Sequence, residues 1–433
     1  MSIPTAPPSG FRDFPPEACA ARAKAIETIS RVYRGFGFSA ISTSAVEDLA
    51  VLTGKGGGEN EKLIFKIMKR GEKLEHARLG GELADFGLRF DLTLPLARFY
   101  SKYGGELPRP FKAFHIGPVW RAERAQKGRY REFIQCDADI VGSESPLCEV
   151  DVISAILAAF EALGISRPTT HLNDRGILFA LFDHAQVPAD KRFGVCRIID
   201  KLDKMDQQAV VDELTAFVGA EVAKNLAGPI VDPSQRFDPD LLNKLAPTEM
   251  KNLAEIRELL GDLLGKPGSF VHTPFLVRGF DYYTGPVFEF RHPGLSGSLG
   301  GGGRYDRLTE KFGGQSVPAC GASIGFERLM LLLEEQGAAA AEAGPDYCVT
   351  VFSDELRLQS LSAAARLRGA GFSADLYPGT GKLKAQFKYA DARKAKFAIV
   401  IGPDEAATEN IKVKDLKTGE ERLDTLDELL ARK

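Results

Sequence analysis

Residues 111–142 constrain the fold more than any other stretch, because their pattern predicts two strands joined by a charged loop. Side chains alternate along a strand, so every second residue lies on the same face. In the second strand, one face would carry Arg131, Phe133, Gln135, Asp137 and Asp139. The other face would carry Glu132, Ile134, Cys136, Ala138 and Ile140. The sequence therefore predicts a β-hairpin with one mainly apolar face and one face of guanidinium, amide and carboxylate groups.

The loop of this hairpin is dense in positive charge. It contains Arg121, Arg124, Lys127, Arg129 and Arg131 against Glu123, in a chain whose formal net charge is −3. A surface strand with a solvated charged turn would alternate in the same way, so the pattern alone leaves that interpretation open. Arginine, however, offers planar paired donors that suit phosphate, and Phe133 offers a ring on which an aromatic base can stack. Together these features favour a nucleotide ligand.

Three other segments are predicted to present polar side chains in a similar way. We expect a strand at 86–94, a β-rich aromatic run at 275–290, and a strand at 321–333 that passes through Gly325 into a helix. The ligand-type side chains in these segments are Arg89, Asp91, Thr93, Arg278, Asp281, Tyr282, Tyr283, Glu327 and Arg328. The sequence thus predicts one sheet with a polar surface.

These residues match a known family. The hairpin with Arg121, Glu123 and Phe133 resembles motif 2 of the class II aminoacyl-tRNA synthetases, and GFERL at 325–329 resembles motif 3. Three further runs resemble the signatures of histidyl-tRNA synthetases: LRFDLTLPLAR at 88–98, REFIQCDADIVG at 131–142 and VRGFDYYTGPVFEF at 277–290. The resemblance extends over nearly the whole chain.

The resemblance implies both a fold and a reaction. The expected fold is an α+β catalytic domain with a mostly antiparallel sheet, a helical insertion domain and a C-terminal α/β anticodon-binding domain. The expected activity is that of a histidine–tRNA ligase, which activates L-histidine with ATP to histidyl-adenylate and transfers it to the 3′ end of tRNA(His). Two alternatives are a class II enzyme for another amino acid and the histidine-binding regulatory paralogue of ATP phosphoribosyltransferase. That paralogue typically lacks the anticodon-binding domain and has eroded motifs, whereas this chain keeps Arg121, Arg278 and Arg328.

Residue roles follow from the same resemblance. Arg278 and Arg121 are the expected catalytic residues, both contacting the α-phosphate. The expected histidine-binding residues are Asp91, Leu92, Thr93, Gln135, Asp139, Arg278, Tyr282 and Tyr283. The expected ATP-binding residues are Arg121, Glu123, Phe133 and Arg328. The expected tRNA-binding residues are Arg124, Gln126, Lys127, Arg129, Lys384 and Lys388. ATP would be a substrate with Mg²⁺ on its phosphates, and no fixed protein ligand for a metal is expected.

Composition limits the remaining possibilities. With 433 residues the chain has room for two or three domains. The near-neutral charge argues against a generally basic nucleic-acid coat, so RNA contacts must come from local patches. Six scattered cysteines without a C-x-x-C pair predict reduced thiols and no zinc site. No run approaches the length of a membrane span, and we expect a cytoplasmic protein that forms a homodimer, as the family does.

The order of segments predicts the domain boundaries. The catalytic domain would comprise 1–174 and 266–333, interrupted by an insertion domain at 175–265. A linker at 334–345 would lead to an anticodon-binding domain at 346–433, in which strands and helices alternate and a mostly parallel sheet is expected. The glycines in LGGGGRYD, from residue 299, follow no dinucleotide fingerprint and predict a close approach to a ligand or a neighbouring strand.

The motif 2 hairpin departs from many bacterial relatives. Ala122, Ala125, Glu132 and Ile134 stand where those relatives have His, Pro, Gln and His. This loop reads the first base pair of the acceptor stem in the family, so we expect altered acceptor-end recognition and a reduced dependence on the extra 5′ guanosine of tRNA(His). Charging transcripts with and without that guanosine tests the expectation.

Overall fold

The computed structural model describes a chain that contains both helices and strands, with a run of helices between residues 174 and 270. It describes residues 3–53, 59–125, 128–203, 205–231, 238–265, 269–278, 282–295, 297–337 and 344–431. The helices there are α1 (Pro16–Gly35), α2 (Leu49–Thr53), α3 (Glu72–Arg78), α4 (Thr93–Tyr103), α5 (Leu147–Ala162), α6 (Arg175–His184), α7 (Arg192–Ile199), α8 (Gln207–Val218), α9 (Ala220–Val231), α10 (Pro239–Leu245), α11 (Pro247–Leu264), α12 (Phe326–Glu335), α13 (Arg357–Gly369), α14 (Leu383–Ala392), α15 (Pro403–Ala407) and α16 (Leu426–Leu430). The strands are β1 (Ser39–Ala40), β2 (Val46–Asp48), β3 (Lys66–Met68), β4 (Ala84–Leu88), β5 (Phe111–Trp120), β6 (Glu132–Val141), β7 (Thr169–Asp174), β8 (Phe270–His272), β9 (Pro286–Arg291), β10 (Ser298–Arg304), β11 (Ala319–Gly325), β12 (Tyr347–Val349), β13 (Ala374–Leu376), β14 (Phe397–Val400), β15 (Asn410–Asp415) and β16 (Glu421–Thr425).

The largest sheet has eight strands in the order β1-β5-β6-β11-β10-β9-β7-β8. Every inner pair, from β5·β6 to β9·β7, is antiparallel. The two edge strands β1 and β8 pair in parallel with their neighbours. This confirms the predicted mostly antiparallel catalytic sheet. A second, three-stranded sheet has the order β2-β4-β3.

The predicted hairpin is present as β5 and β6, the second and third strands of the large sheet, next to the edge strand β1. Its register pairs Phe111 with Val141 at one end and Trp120 with Glu132 at the other. The apolar face of β6 is buried as expected, and its polar face is buried too from Gln135 onward. The polar groups therefore lie inside the molecule and need partners or a ligand.

The prediction of one strand over 86–94 is wrong. Strand β4 ends at Leu88 and helix α4 begins at residue 93. Two local features favour the helix: the carboxylate Oδ1 of Asp91 accepts a hydrogen bond from the backbone N–H of Leu94 at 3.2 Å, and Pro95 has a fixed φ that suits a first helical turn. The ligand-type side chains of this segment consequently lie at a helix start and not along a strand face.

The β-rich run predicted at 275–290 is also shorter than expected. Within its described residues, strand β9 begins only at Pro286. Residues 282–285 are held by scattered backbone bonds, such as the one that Thr284 N–H donates to Arg304 O at 2.8 Å. Residues 282–285 therefore have the β-propensity expected from their sequence but form only isolated backbone hydrogen bonds and no paired strand.

The glycines of β10 fit the predicted close approach to neighbouring strands. A Cβ on Gly300 would lie 2.4 Å from the carbonyl oxygen of Ser323, and one on Gly302 would lie 1.9 Å from that of Gly321. At Gly301 the added Cβ would lie 2.8 Å from the guanidinium carbon of Arg278. Glycine therefore leaves room for both the β11 backbone and an arginine.

Helices α6 to α9 share one hydrophobic core. Its members include Phe182, Val195, Leu214 and Leu226, and Val277 joins them from the segment that follows. Helix α11 instead packs against α5 and β7. The helical character expected for 175–265 is present, and residues 22–339 form one compact unit that contains it. The insertion-domain boundaries stay predictions.

The second compact unit comprises residues 14–21 and 340–433, and its described C-terminal part contains a five-stranded sheet. The order is β13-β12-β14-β15-β16, and β12 pairs in parallel with β13 and β14. The expectation of a mostly parallel sheet is wrong at one side, where β14·β15 and β15·β16 are antiparallel. A tight turn explains the β15·β16 pair, because Asp415 accepts from the N–H groups of Lys417 and Thr418 and directs the chain back. No described helix is long and apolar enough to cross a membrane.

Candidate active site

The polar face of β6 forms one wall of the candidate site. The Gln135 side chain donates from Nε2 to Asp137 Oδ1 at 3.3 Å and to Ser323 Oγ at 3.2 Å. Burial raises the pKa of Asp137 to about 7, and the nearby charge of Asp91 raises it as well. Burial also raises the pKa of Asp139 well above its usual range, and the charge of Asp137 raises it further. Sequence analysis assigned roles to Gln135 and Asp139 but none to Asp137 or Ser323. Alternation within β11 could have identified Ser323, which lies opposite Asp137 in the register.

The start of helix α4 forms a second wall. Asp91 and Leu92 are both 1% exposed, and Thr93 is also buried. One carboxylate oxygen of Asp91 accepts from Leu94 N–H, whereas Oδ2 is buried without a hydrogen-bond partner in the described part of the chain. Burial raises the pKa of Asp91 to about 6. An unpartnered buried acceptor at this position indicates a donor supplied by a ligand.

Three tyrosines close the site. The rings of Tyr282 and Tyr283 have centroids 4.9 Å apart, and Tyr282 meets Tyr305 edge to face at 5.9 Å. The Tyr282 hydroxyl donates to Thr93 Oγ1 at 3.4 Å, and the Tyr305 hydroxyl donates to Asp139 Oδ1. Burial raises the pKa of Tyr283 to about 12, so this ring stays neutral. Sequence analysis missed Tyr305, because its contact with Asp139 depends on the pairing of strands distant in sequence.

Arg121 stands at the end of β5 and faces the same side. Its Nε donates to Phe90 O at 2.9 Å, and its Nη2 donates to Gln135 Oε1 at 3.4 Å. The guanidinium lies 4.9 Å from the centroid of the Phe133 ring. The expected ATP-binding residues Arg121 and Phe133 are thus adjacent, and Gln135 connects them to the carboxylates.

Arg278 and Arg328 converge on Ser298 at the start of β10. Arg278 donates to Ser298 Oγ at 3.5 Å and forms an ion pair with Glu289 at 3.4 Å. Arg328 donates to Ser298 O at 2.8 Å. Burial lowers the pKa of Arg328, and the nearby positive charges of Arg129 and Arg278 lower it further. Cations that lie close enough to lower the pKa of a neighbour repel one another, and a polyanion bound among them would relieve this repulsion. Glu289 and Ser298 were not singled out by sequence.

The hairpin loop is described only in part. Gln126 and Lys127, two of the expected tRNA-binding residues, lie outside the described residues. Glu123 forms an ion pair with Arg129 at 3.3 Å, and Arg124 is exposed. The loop therefore presents arginines at the surface beside the buried site.

A further network was missed by sequence reasoning. Glu327, in the first turn of α12 and 5% exposed, forms ion pairs with Arg12 and Arg22 and accepts from Ile134 N–H at 3.4 Å. These contacts connect the residue before Arg328 to β6 and to the N-terminal part of the chain. Burial opposes ionisation of Glu327, but the two arginines outweigh it and lower the pKa of this carboxyl group.

The remaining expected tRNA-binding residues lie in the C-terminal unit. Lys384 and Lys388 are exposed and one turn apart on α14, so they share a face of that helix. No group of three or more His, Cys, Asp or Glu side chains in the described ranges could hold a metal ion.

Comparison with known proteins places this geometry in a family. The family model of histidyl-tRNA synthetase matches residues 10–329, and the model of the anticodon binding domain matches 346–432. The chain belongs to the histidyl-tRNA synthetase family. The histidine–tRNA ligase of Leifsonia xyli subsp. xyli is 41% identical over 95% of this chain and 99% of its own. That of Christiangramia forsetii is 36% identical over 96% of each.

A solved structure agrees with the family assignment. The crystal structure of histidyl-tRNA synthetase from Nostoc sp. PCC 7120 has a TM-score of 0.80 and 29% identity, and the match covers 100% of both chains. The predicted family, fold and histidine–tRNA ligase activity, with ATP as a substrate, are confirmed. The paralogue alternative loses support, because full-length ligases are the relatives matched.

Proposed function

We propose that the site joins histidine to ATP by an in-line attack on the α-phosphate, with arginines in place of a general base. The substrate carboxylate is already a nucleophile, so catalysis requires positioning and charge neutralisation. Arg121 and Arg278 would hold the α-phosphate, and Arg328 would bind the departing pyrophosphate. The convergence of Arg278 and Arg328 on Ser298, with Arg129 also near Arg328, is the observation that carries this proposal, since a triphosphate relieves the repulsion of these cations.

The adenine would stack on Phe133, and Glu123 would accept from the base edge. Phe133 already stands under the Arg121 guanidinium, 4.9 Å from the ring centroid, which aligns base and phosphate contacts on one side. Mg²⁺ would accompany ATP and, when bound, would neutralise charge on the phosphates. This ion prefers phosphate oxygens and water to all-protein cages.

The histidine would occupy the space between β6, the start of α4 and the tyrosines. Asp91, Thr93 and Gln135 offer acceptors to the α-ammonium group, with Leu92 shaping the wall beside them. Asp139 and Tyr283 would pair with the imidazole nitrogens, and Tyr282 would pack nearby. Imidazole has two nitrogens to satisfy, so an analogue without them would leave buried polar groups unpaired.

The second step would transfer the histidyl group to the terminal ribose of tRNA, with AMP as leaving group. Arg124, Gln126, Lys127 and Arg129 would contact the acceptor end, and Lys384 and Lys388 would contact RNA from the anticodon-binding domain. We also propose three domains: a catalytic domain at 1–174 and 266–333, an insertion domain at 175–265 and an anticodon-binding domain at 346–433. The match of the anticodon binding domain model to 346–432 supports the last of these.

We further propose a cytoplasmic homodimer. The three-stranded sheet exposes Val46, Met68 and Phe86, at 41%, 56% and 48%. Asp48 pairs with Phe86 and Val46 with Leu88, so Val46 and Phe86 lie on one face of this sheet. Exposed apolar side chains that share one face of a sheet are typical of a protein interface, and a second copy of this chain is the partner proposed.

Arg278→Ala tests the proposed chemistry. We expect histidine-dependent exchange between ATP and pyrophosphate to fall about 10²-fold or more, because one charge-stabilising donor is lost. Arg291→Ala is the matched control, since Arg291 also lies beside Glu289, at 3.7 Å, but has no proposed role in the site. Equal activity of Arg278→Ala and wild type would refute the assignment.

A further inference from the structure

We propose that Asp137 is an additional residue of the histidine-binding site and that it binds the α-ammonium group of the substrate together with Asp91. The inference rests on the proposed histidine site and adds to it an acceptor that the family pattern did not supply. Its basis is the geometry of three buried carboxylates, Asp91, Asp137 and Asp139, called the carboxylate cluster below.

The strand geometry directs Asp137 into the site. It lies two residues from Gln135 and two from Asp139 on β6, so all three side chains share a face. Asp137 is 3% exposed, and its neighbours in the sheet are His115 on β5 and Ser323 on β11. A carboxylate at this position cannot reach bulk water.

The contacts of Asp137 are uncharged. Its Oδ1 accepts from the Gln135 amide at 3.3 Å, and the hydroxyl-bearing Ser323 lies opposite it in the β6·β11 register. Among the described residues, no lysine or arginine forms an ion pair with any member of the carboxylate cluster. Arg121 acts on Asp91 and Asp137 only as a nearby charge and is directed to Gln135 and Phe90. Buried anions without a paired cation indicate that the ligand supplies one.

The three carboxylates are not equivalent. Asp139 Oδ1 accepts a hydrogen bond from the Tyr305 hydroxyl. We assign the other oxygen of this carboxylate to the imidazole of the substrate. Asp91 Oδ2 is buried without a hydrogen-bond partner among the described residues, and the charge of Asp91 raises the pKa of Asp137. An ammonium group has three N–H donors, and Asp91, Asp137 and the Thr93 hydroxyl provide three acceptors. Gln135 Oε1 already accepts from Arg121 Nη2 at 3.4 Å, so Asp137 takes the place first proposed for Gln135, whose amide Nε2 donates to Asp137 Oδ1 at 3.3 Å. This assigns the α-ammonium to Asp91 and Asp137 and the imidazole to Asp139.

Ligands with and without the ammonium group test the assignment. We would measure inhibition constants of L-histidinol and imidazolepropionic acid, and the KM of histidine, in ATP–pyrophosphate exchange by wild type and Asp137→Asn. Asn keeps the shape and removes the charge. We expect histidine and histidinol to bind about tenfold or more weakly to the variant, because a hydrogen bond to a charged group is lost. Imidazolepropionic acid should bind within about twofold of wild type, and the KM of ATP should not change.

Asp174→Asn is the matched control. Asp174 is also a buried carboxylate with a raised pKa, but it caps helix α6 through Gly176 N–H at 2.7 Å and has no proposed substrate contact. This control should leave the preference for ammonium-bearing ligands unchanged.

Asp137→Ser provides the same comparison if Asp137→Asn does not fold. An equal loss for all three ligands, or no loss, overturns the assignment while wild-type exchange still supports the proposed function. Absence of histidine-dependent exchange in wild type would instead overturn that function.

Discussion

At the residue scale, the site places negative charge where it destabilises the fold. Each member of the carboxylate cluster is buried, and burial is the largest cause that raises its pKa. Without a substrate ammonium, these groups lose their protons at a higher pH than exposed carboxyl groups do. The site is therefore preorganised for a cation at the expense of stability, as functional sites often are.

Asp91→Asn should reveal this cost. The pKa of Asp91 is raised from 3.8 to about 6, so the folded state binds its proton more tightly than the unfolded chain does. Stability from the protonated form is complete below about pH 4 and is lost as the pH rises through about 6. Asn cannot ionise, so the variant should melt a few degrees above wild type at pH 8, with a smaller difference at pH 4.5; the free-energy difference at pH 8 is up to about 3 kcal/mol.

Thermal unfolding followed by circular dichroism at the two pH values measures this difference. The affinity for histidine should fall in the same variant. A variant that is more stable but binds histidine more weakly would show that Asp91 is kept for binding and not for stability. A melting difference that is the same at pH 4.5 and pH 8 would argue against a buried, ionising Asp91.

At the element scale, the parts that sequence predicted well are those whose signal is local. The β5–β6 hairpin follows from alternation within one segment, and the turn at Gly325 follows from the change of period into α12. The segment 86–94 was misassigned because alternation of Arg89, Asp91 and Thr93 also fits a helix start that is preceded by an aspartate accepting from a backbone N–H of the first turn. Period-two patterns this short do not distinguish the two structures.

The missed site residues have a different cause. Tyr305 reaches Asp139 and Glu289 reaches Arg278 only because β9, β10 and β11 pair in a particular register. The sequence around Tyr305 or Glu289 does not indicate which strand will lie beside that residue. Asp137 belonged to the polar face predicted from sequence, but only its burial distinguishes it from a solvated side chain.

Strand β11 offers a test at this scale. A Cβ on Gly321 would lie 1.8 Å from Asp139 Oδ1 and 3.0 Å from the Tyr305 hydroxyl oxygen. Gly321→Ala should therefore displace the Asp139 carboxylate and raise the KM of histidine about tenfold or more, by the loss of a hydrogen bond to a charged group. Gly261→Ala in α11, where nothing lies within 4 Å of the added Cβ, is the control and should be silent. An unchanged KM in Gly321→Ala would mean that Asp139 does not face the substrate.

At the scale of the whole molecule, the chain consists of two compact units with separate proposed tasks. The first contains the candidate active site, and the described C-terminal part of the second matches the anticodon binding domain model. Amino-acid activation uses only small substrates, whereas charging requires RNA. Substitutions in the two units should therefore affect different measurements.

Lys384→Glu with Lys388→Glu tests this division. Loss of two exposed cations should raise the KM of tRNA severalfold and reduce its dependence on salt, because fewer counterions are released. ATP–pyrophosphate exchange should be unchanged. Lys417→Glu, an exposed lysine in the β15–β16 turn of the same unit, is the control. If Lys417→Glu raised the KM of tRNA as much as the two substitutions in α14 do, the effect would come from the net charge of the unit and not from a contact made by α14.

The three-stranded sheet provides the last test, on assembly. Phe86 is 48% exposed on the face that also contains Val46, and a glutamate there would place a charge in the centre of the proposed dimer surface. Burying an unpaired charge in an interface costs more than an apolar contact contributes, so Phe86→Glu should give a monomer in light scattering where wild type gives a dimer. Leu423→Glu, at a residue 62% exposed on β16, introduces the same charge elsewhere and should leave the dimer intact. If Phe86→Glu remains dimeric, the interface lies on another surface, and the apolar face of the β2-β4-β3 sheet requires a different partner.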